Sequence, residues 1–423
     1  MFRLKPDARA LMRSACLAIA MSVESCNGTS LSEPTYYQQM VAETRRAFSH
    51  NGYEVNWTTM APASNGVDVV AVSSSYGAYL RVSKYSANTM TWSASGGGGV
   101  QPDSSGDVKA AHIQLLPPQS GNTHTLVYQI NGATTIYQRR TPDDGATWSS
   151  QTSVINDPAL MDGPTPVILT RSGRMWVFYP FNDGSTYYGI RAVYSDTYGD
   201  SWDTNGGSGY DVITRAYNGD AFIAPQDATE TDDGRIALLC ADQTASLMTT
   251  PFMVVLLTES TLSATWDPGG DIASAPVSGP DTVRIYGTDG TPVYNTNAET
   301  YQPSSIQALP GDSFVIVAAL YGDPDLKTIG AIASMGNARV DADISSRRTL
   351  EILDETELNW IADSLHVSLT PNSPSARLMP GGTLMVLMRR TWNYTEYDSL
   401  KVKICDSPRV LTFQPACWAD LNP

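Results

Sequence analysis

Past residue 50 the chain is written in short apolar runs separated by polar turns, and the runs come in pairs. "TPVILTRSGRMWVFYP" (165–180) is an apolar run, a turn at Gly173 and a second run rich in aromatic and β-branched residues. That pattern predicts a hairpin of strands. "APQDATETDDGRIALLCA" (224–241), "QPSSIQALPGDSFVIVAAL" (302–320) and "SPSARLMPGGTLMVLMRR" (373–390) repeat it, turning at Gly234, Gly311 and Gly382. "AHIQLLPPQSGNTHTLVYQ" (111–129) follows the same grammar with Gly121, and "APASNGVDVVAVSS" (61–74) is a weaker copy around Gly66. The turn glycines stand 55, 52, 61, 77 and 71 residues apart, and each interval holds the hairpin plus two further strands. Four antiparallel strands per unit, six times over, predicts an all-β chain built as a six-bladed β-propeller. A single blade cannot bury both of its faces, so blades pack face to face. The 77-residue interval has length to spare, which keeps a seventh blade open.

This unit occupies residues 51–423, and residues 1–50 read differently. "SEPTYYQQMVAETRRAF" (32–48) predicts a short helix, with Ser32 as its cap and Pro34 in its first turn. Tyr37, Met40, Val41, Thr44 and Phe48 fall roughly on one face of it. Ahead of the helix, "MFRLKPDARALMRSACLAIAMSV" has a basic start, a short apolar run and Ala18-Ile19-Ala20, the outline of a secretory signal segment. Arg13 interrupts that run, so an ordinary helical extension is the competing reading. The first reading implies a secreted protein and the second leaves a virion-exposed one open.

Charge narrows the partners. Lys and Arg number 27 against 43 Asp and Glu, a net charge of −16. Such a surface repels phosphate backbones, which argues against a nucleic-acid partner. No run after the first helix has the length needed to span a bilayer. The five cysteines follow no metal-ligand spacing, and the sequence calls for neither metal nor cofactor. Cys240, in the apolar run "IALLC", reads as a buried thiol. Cys405 and Cys417 can pair if the compartment is oxidising.

One short stretch carries a resemblance. In "TPDDGATW" (141–148), Thr141 and Asp143 can accept hydrogen bonds from turn amides, Gly145 can take positive φ, and Trp148 can anchor the turn to the core. The stretch resembles the Asp-box of sialidases and related propellers, Ser/Thr-x-Asp-x-Gly-x-Thr-Trp, at every fixed position. "SDTYGDSW" (195–202) is a second copy in which Thr197 replaces the Asp. "YSANTMTW" (85–92) and "LSATW" (262–266) keep a hydroxyl residue and the Trp. With the repeats, the resemblance covers about residues 57–410. It implies a sialidase-like propeller in which the box is structural and the site lies on the opposite face. The chain departs from the family in having no Arg-Ile-Pro motif: Met60-Ala61-Pro62 occupies the nearest position.

On that opposite face stand the starts of the first strands and the loops joining second to third strands. The starts offer His112, Asp162, Gln226, Asp227, Glu299 and Tyr301, and the loops offer Arg389, Arg390 and Tyr394. Carboxylates and tyrosines suit glycosyl transfer to water, where one carboxylic acid protonates the leaving oxygen and a second group attacks or stabilises the oxocarbenium-like centre. Sialidases use a tyrosine as that second group. Glu299 and Tyr301 are two apart, on one side of a strand, as a base and its phenol must be. The catalytic set expected is Asp162, Asp227, Glu299 and Tyr301. The substrate-binding set is His112, Gln226, Arg389, Arg390 and Tyr394. The reading is an exo-acting, sialidase-like glycoside hydrolase. The alternatives are a non-catalytic carbohydrate- or receptor-binding propeller and a polysaccharide lyase with His112 or a tyrosine as base.

Overall fold

The structure is a computed structural model that describes residues 55–75, 79–86, 91–94, 108–216, 222–243, 250–259, 282–284, 294–295, 305–309, 313–319, 328–334, 351–352, 375–380, 384–390, 399–405 and 418–420. The helix expected at 32–48 and the rest of 1–50 lie outside these residues. The described residues form six antiparallel sheets, and in each one four strands pair in chain order. The first sheet is β1 (Val55–Pro62), β2 (Val69–Ser75), β3 (Tyr79–Ser86) and β4 (Thr91–Ala94). The second is β5 (Val108–Leu115), β6 (His124–Ile130), β7 (Thr135–Thr141) and β8 (Thr152–Asn156). The third is β9 (Val167–Leu169), β10 (Met175–Asn182), β11 (Tyr187–Ser195) and β12 (Tyr210–Ala216). The fourth is β13 (Phe222–Glu230), β14 (Ile236–Gln243), β15 (Thr250–Leu257) and β16 (Thr282–Arg284), with β17 (Tyr294–Asn295) pairing to β15 as an extra strand in the long 234–311 interval. The fifth is β18 (Ser305–Leu309), β19 (Ser313–Ala319), β20 (Thr328–Ser334) and β21 (Glu351–Ile352), and the sixth is β22 (Ser375–Leu378), β23 (Leu384–Arg390), β24 (Ser399–Cys405) and β25 (Trp418–Asp420). Among the described residues the helical turns are two short 3-10 segments, Pro118–Ser120 and Asn205–Gly207.

The second strands explain why the hairpins read as unbroken apolar runs: they are buried on both faces. On β6, Leu126 and Tyr128 pack with Val70, Val72 and Leu80 of the first sheet. Val127, between them, packs on Val177, Tyr179 and Phe181 of the third. On β10, Trp176 and Phe178 turn the other way, onto Ile223, Leu238 and Val255 of the fourth sheet. Each such side chain contributes about 1.5–3 kcal/mol on full burial, so the sheet-to-sheet seams are the core. The glycines at four of the six predicted turns sit in the left-handed region: Gly66 at φ 72°, Gly121 at 69°, Gly173 at 90° and Gly234 at 84°. A side chain there adds strain, and the glycine repeat marks where each hairpin reverses.

Neighbouring first strands are tied by one recurrent contact. A backbone N–H of one sheet donates to a side chain on the first strand of the preceding sheet: Ile113 to Thr59 Oγ1 (3.3 Å), Ile306 to Asp227 Oδ2 (3.1 Å) and Ala376 to Ser305 Oγ (2.9 Å). The same contact joins the first sheet to the sixth, where Met60 N donates to Ser375 Oγ at 3.2 Å. Backbone donors that a first strand cannot satisfy in its own ladder are met by a hydroxyl or carboxylate next door.

Candidate functional site

The turn that carries the resemblance holds the fold. Asp143 Oδ1 accepts from the Thr147 amide (2.7 Å) and Thr141 Oγ1 (2.8 Å), and Oδ2 accepts from Thr147 Oγ1 (2.7 Å). Gly145 N donates to Thr141 Oγ1, and Trp148 Nε1 to the Gly145 carbonyl. Trp148 itself lies half-buried against the seam between the first and second sheets. Burial tends to raise the Asp143 carboxyl, but the hydrogen bonds from Thr147, Thr141 and Ala146 hold it below the usual range. The second copy has the same shape without the carboxylate. Gly199 N donates to Ser195 Oγ (2.8 Å), Ser201 N to Thr197 Oγ1 (2.9 Å), and Tyr198-Gly199 repeats the φ pair of Asp144-Gly145. Next to Asp143, Asp144 accepts from the Ser64 amide and hydroxyl and from Lys84 Nζ. Ser64 lies in the β1–β2 turn, so the 141–148 turn and that hairpin turn share one end of the sheets, as the strand order requires.

Along the first strands, side chains from four of them meet. Asp227 on β13 is 1% exposed, and Arg377 on β22 pairs with it through two parallel bonds: Nη1 to Oδ2 at 2.8 Å and Nη2 to Oδ1 at 3.2 Å. Ser305 on β18 donates to Oδ2 at 2.6 Å, and the Ala228 amide donates to Oδ1 at 2.9 Å. His112 on β5 completes the group, its Nδ1 3.8 Å from Asp227 Oδ1. Burial pushes the Asp227 carboxyl up, yet the Arg377 charge and the hydrogen bonds from Arg377 and Ser305 outweigh it and keep the group an anion. Burial drives the His112 imidazole down to about 4, so near neutrality the ring is uncharged. The local cause of Asp227's placement is a β-bulge: the register of β13 on β14 shifts between Pro225 and Asp227, leaving Gln226 as the extra residue. Bulges re-aim side chains in this way, and Pro225, with no amide to give the ladder, suits the break.

The structure therefore brings together His112 and Asp227 of the expected site residues, with Gln226 buried between Asp227 and Pro225. Asp162 stands elsewhere, half-buried ahead of β9, where its Oδ1 accepts from the Gly132 amide (3.0 Å) and Gln129 Nε2 (3.4 Å). It ties the β6–β7 loop of the second sheet to the third. Arg389 and Arg390 close β23 in register with Leu400 and Ser399, and their side chains lie outside the described residues, as do Glu299, Tyr301 and Tyr394 altogether. Cys240 is a buried thiol; Cys417 and the side chain of Cys405 are not described. Sequence reasoning missed Arg377 and Ser305. For Arg377 the signal was present: "SAR" (375–377) puts a guanidinium on an otherwise apolar first strand, whereas Ser305 in "SSIQAL" carries no such mark. Among the described residues no cluster of three or more His, Cys, Asp or Glu is placed to hold a metal ion.

Comparison with known proteins places the fold. No family model matches the chain, and no curated protein matches it by sequence. Among solved structures it resembles a protein of unknown function from Dyadobacter fermentans, 12% identical over 84% of this chain and 96% of that one, with a TM-score of 0.53. It resembles equally a point mutant of an α-L-arabinofuranosidase from Fusarium graminearum in complex with an iminosugar inhibitor, 12% identical over 84% and 96%, TM-score 0.53. An intramolecular trans-sialidase from Ruminococcus gnavus aligns over 83% and 95% at 11% identity and a TM-score of 0.48. The chain is an all-β protein of antiparallel sheets with propeller-fold neighbours.

Proposed function

We propose that the six sheets close as the blades of a six-bladed, sialidase-like propeller, and that the chain acts on glycans as an exo-acting glycoside hydrolase. The ties between consecutive first strands, including Met60 to Ser375, support closure. The observation that carries the functional reading is the convergence of His112, Asp227, Ser305 and Arg377 from four sheets. Charged and hydrogen-bonding groups at the propeller axis are the means to hold a sugar's hydroxyls and to stabilise positive charge at its anomeric carbon.

The roles divide by environment. Asp227, fixed as an anion, contributes negative potential at the floor of the cup. Asp162, half-buried at the start of the third blade, is the carboxyl we assign to protonation of the leaving oxygen. Glu299 and Tyr301 are the base and phenol of the sequence-based assignment, and Arg389 or Arg390 with Tyr394 lines the rim. Substrate is a neutral or acidic glycan met outside the cell or at a virion surface. Among the described residues no helix is long and apolar enough to cross a membrane. One observation favours a second reading, a propeller that binds glycans without cleaving them: both oxygens of Asp227 are already taken by five donors. Incubation with a panel of α- and β-linked oligosaccharides separates the readings. Release of terminal sugars with new reducing ends supports hydrolysis, an ultraviolet-absorbing unsaturated product points to a lyase, and retention without products points to binding. No product and no retention on any glycan overturns the proposal.

A further inference from the structure

At the centre of the first strands, one carboxylate oxygen has two side-chain claimants. Asp227 Oδ2 is firmly held, at 2.8 Å by Arg377 Nη1, 2.6 Å by Ser305 Oγ and 3.1 Å by the Ile306 amide. Oδ1 accepts from the Ala228 amide at 2.9 Å, but its contact with Arg377 Nη2 is 3.2 Å, longer than a usual charge-assisted bond. His112 Nδ1 stands 3.8 Å from that same oxygen. The ring is 4% exposed, and among the described residues neither of its nitrogens has a hydrogen-bond partner. Orphaned buried nitrogens are costly, and natural structures keep them where they do something. The charged groups acting on the ring, among the described residues, are Asp227 of β13, which favours its cation, and Arg377 of β22, which opposes it.

We infer that His112 is a proton-operated competitor for Arg377: on taking up a proton, its Nδ1–H donates to Asp227 Oδ1 and the Arg377 Nη2 bond to that oxygen opens. One proton passes from solvent to the ring, where it forms an N–H bond on the free nitrogen, and one hydrogen bond to Oδ1 changes partner. The neutral ring can act as acceptor or donor only if it moves closer. The protonated ring repels the guanidinium and attracts the carboxylate, so both forces push the exchange one way. Acid thus links the second and fourth sheets directly and leaves the Nη2 donors of Arg377 free for another partner. Burial, which holds the ring at about 4, sets the exchange well below neutrality. The inference concerns the device itself and stands whether or not the protein hydrolyses glycans.

The test follows His and Arg side-chain nitrogens by NMR in labelled full-length protein, titrated from about pH 7.5 to about pH 3.5, a range that spans the ordinary histidine value and the depressed one. His112→Gln and Arg377→Lys assign the two signals. The expected result is that His112 becomes an imidazolium while the protein stays folded, and that an Arg377 signal moves with the same midpoint. That arginine transition should vanish in His112→Gln. If His112 titrates and Arg377 stays unmoved, if the arginine transition survives in His112→Gln, or if the protein unfolds in step with the histidine, the inference is overturned.

Discussion

Asp227→Ala is the substitution whose cost the structure sets most directly. It deletes the acceptor for Arg377 Nη1 and Nη2, Ser305 Oγ and the amides of Ile306 and Ala228, donors from three sheets. Arg377 keeps the Ala376 carbonyl at 2.7 Å but loses its counter-ion, with its side chain 15% exposed. Removing one partner of a buried pair costs about 3–5 kcal/mol. The Ile306 amide, left without its acceptor, adds about 1–3 kcal/mol, and because the two losses share one cavity the sum falls short of additive, at about 4–6 kcal/mol. Asp227→Ala combined with Arg377→Met removes both charges and should recover about 2 kcal/mol or more of that loss. Urea unfolding of the wild type, both single variants and the double variant gives the coupling directly, provided the m-value is unchanged. If Asp227→Ala lies within about 1 kcal/mol of wild type, or the double variant loses the plain sum of the singles, Asp227 does not tie the first strands together.

Four further outcomes are expected. Trp148→Ala should cost about 2–3 kcal/mol, below the range for a fully buried Trp because the ring is half-buried, and leave glycan binding per folded molecule unchanged; thermal melts and binding isotherms check both. Thr197→Asp restores the carboxylate that Asp143 supplies in the other copy, and should raise stability by about 0.5–1 kcal/mol in urea unfolding. His112 is held near 4 in the fold against an ordinary 6.5, so the folded state binds fewer protons; the stability it contributes is present above 6.5 and lost as pH falls toward 4, by about 3 kcal/mol in all. The melting temperature should therefore fall over that interval, and fall less in His112→Gln, with the buried His124 contributing the remainder in the same direction. One of Arg389→Ala and Arg390→Ala should weaken an acidic glycan by about tenfold or more at an unchanged melting temperature, since a bidentate guanidinium–carboxylate contact is strong and directional.

What the sequence disclosed follows from what is local. Hairpins such as 165–180 were legible because both faces of β10 are buried, so every position from Met175 to Phe181 had to be apolar or aromatic. The 141–148 turn was legible because the bonds that close it on itself join residues at most four apart. The central group was half legible. His112 and Asp227 stand out as polar residues on first strands, but Arg377 lies 150 residues beyond Asp227, and only the stacking of sheets makes them neighbours. Gln226 looked like a site residue of equal standing with Asp227; the bulge gives the two different surroundings, and nothing in "APQDAT" announces a bulge except its proline. Asp162 shows the opposite limit, since its bonds to Gly132 and Gln129 depend on where the neighbouring sheet's loop falls.

On the proposed function, glycans are met at the starts of the first strands, at the end away from the Thr141–Trp148 turn. A crystal structure of the protein soaked with an oligosaccharide retained in the panel tests it in one measurement. The prediction is sugar density at those strand starts, facing Asp162 and the loops that follow the second strands, with the 141–148 turn unoccupied and its hydrogen bonds unchanged. Sugar bound instead against Trp148 or along the outer strands, with the strand starts empty, would contradict it.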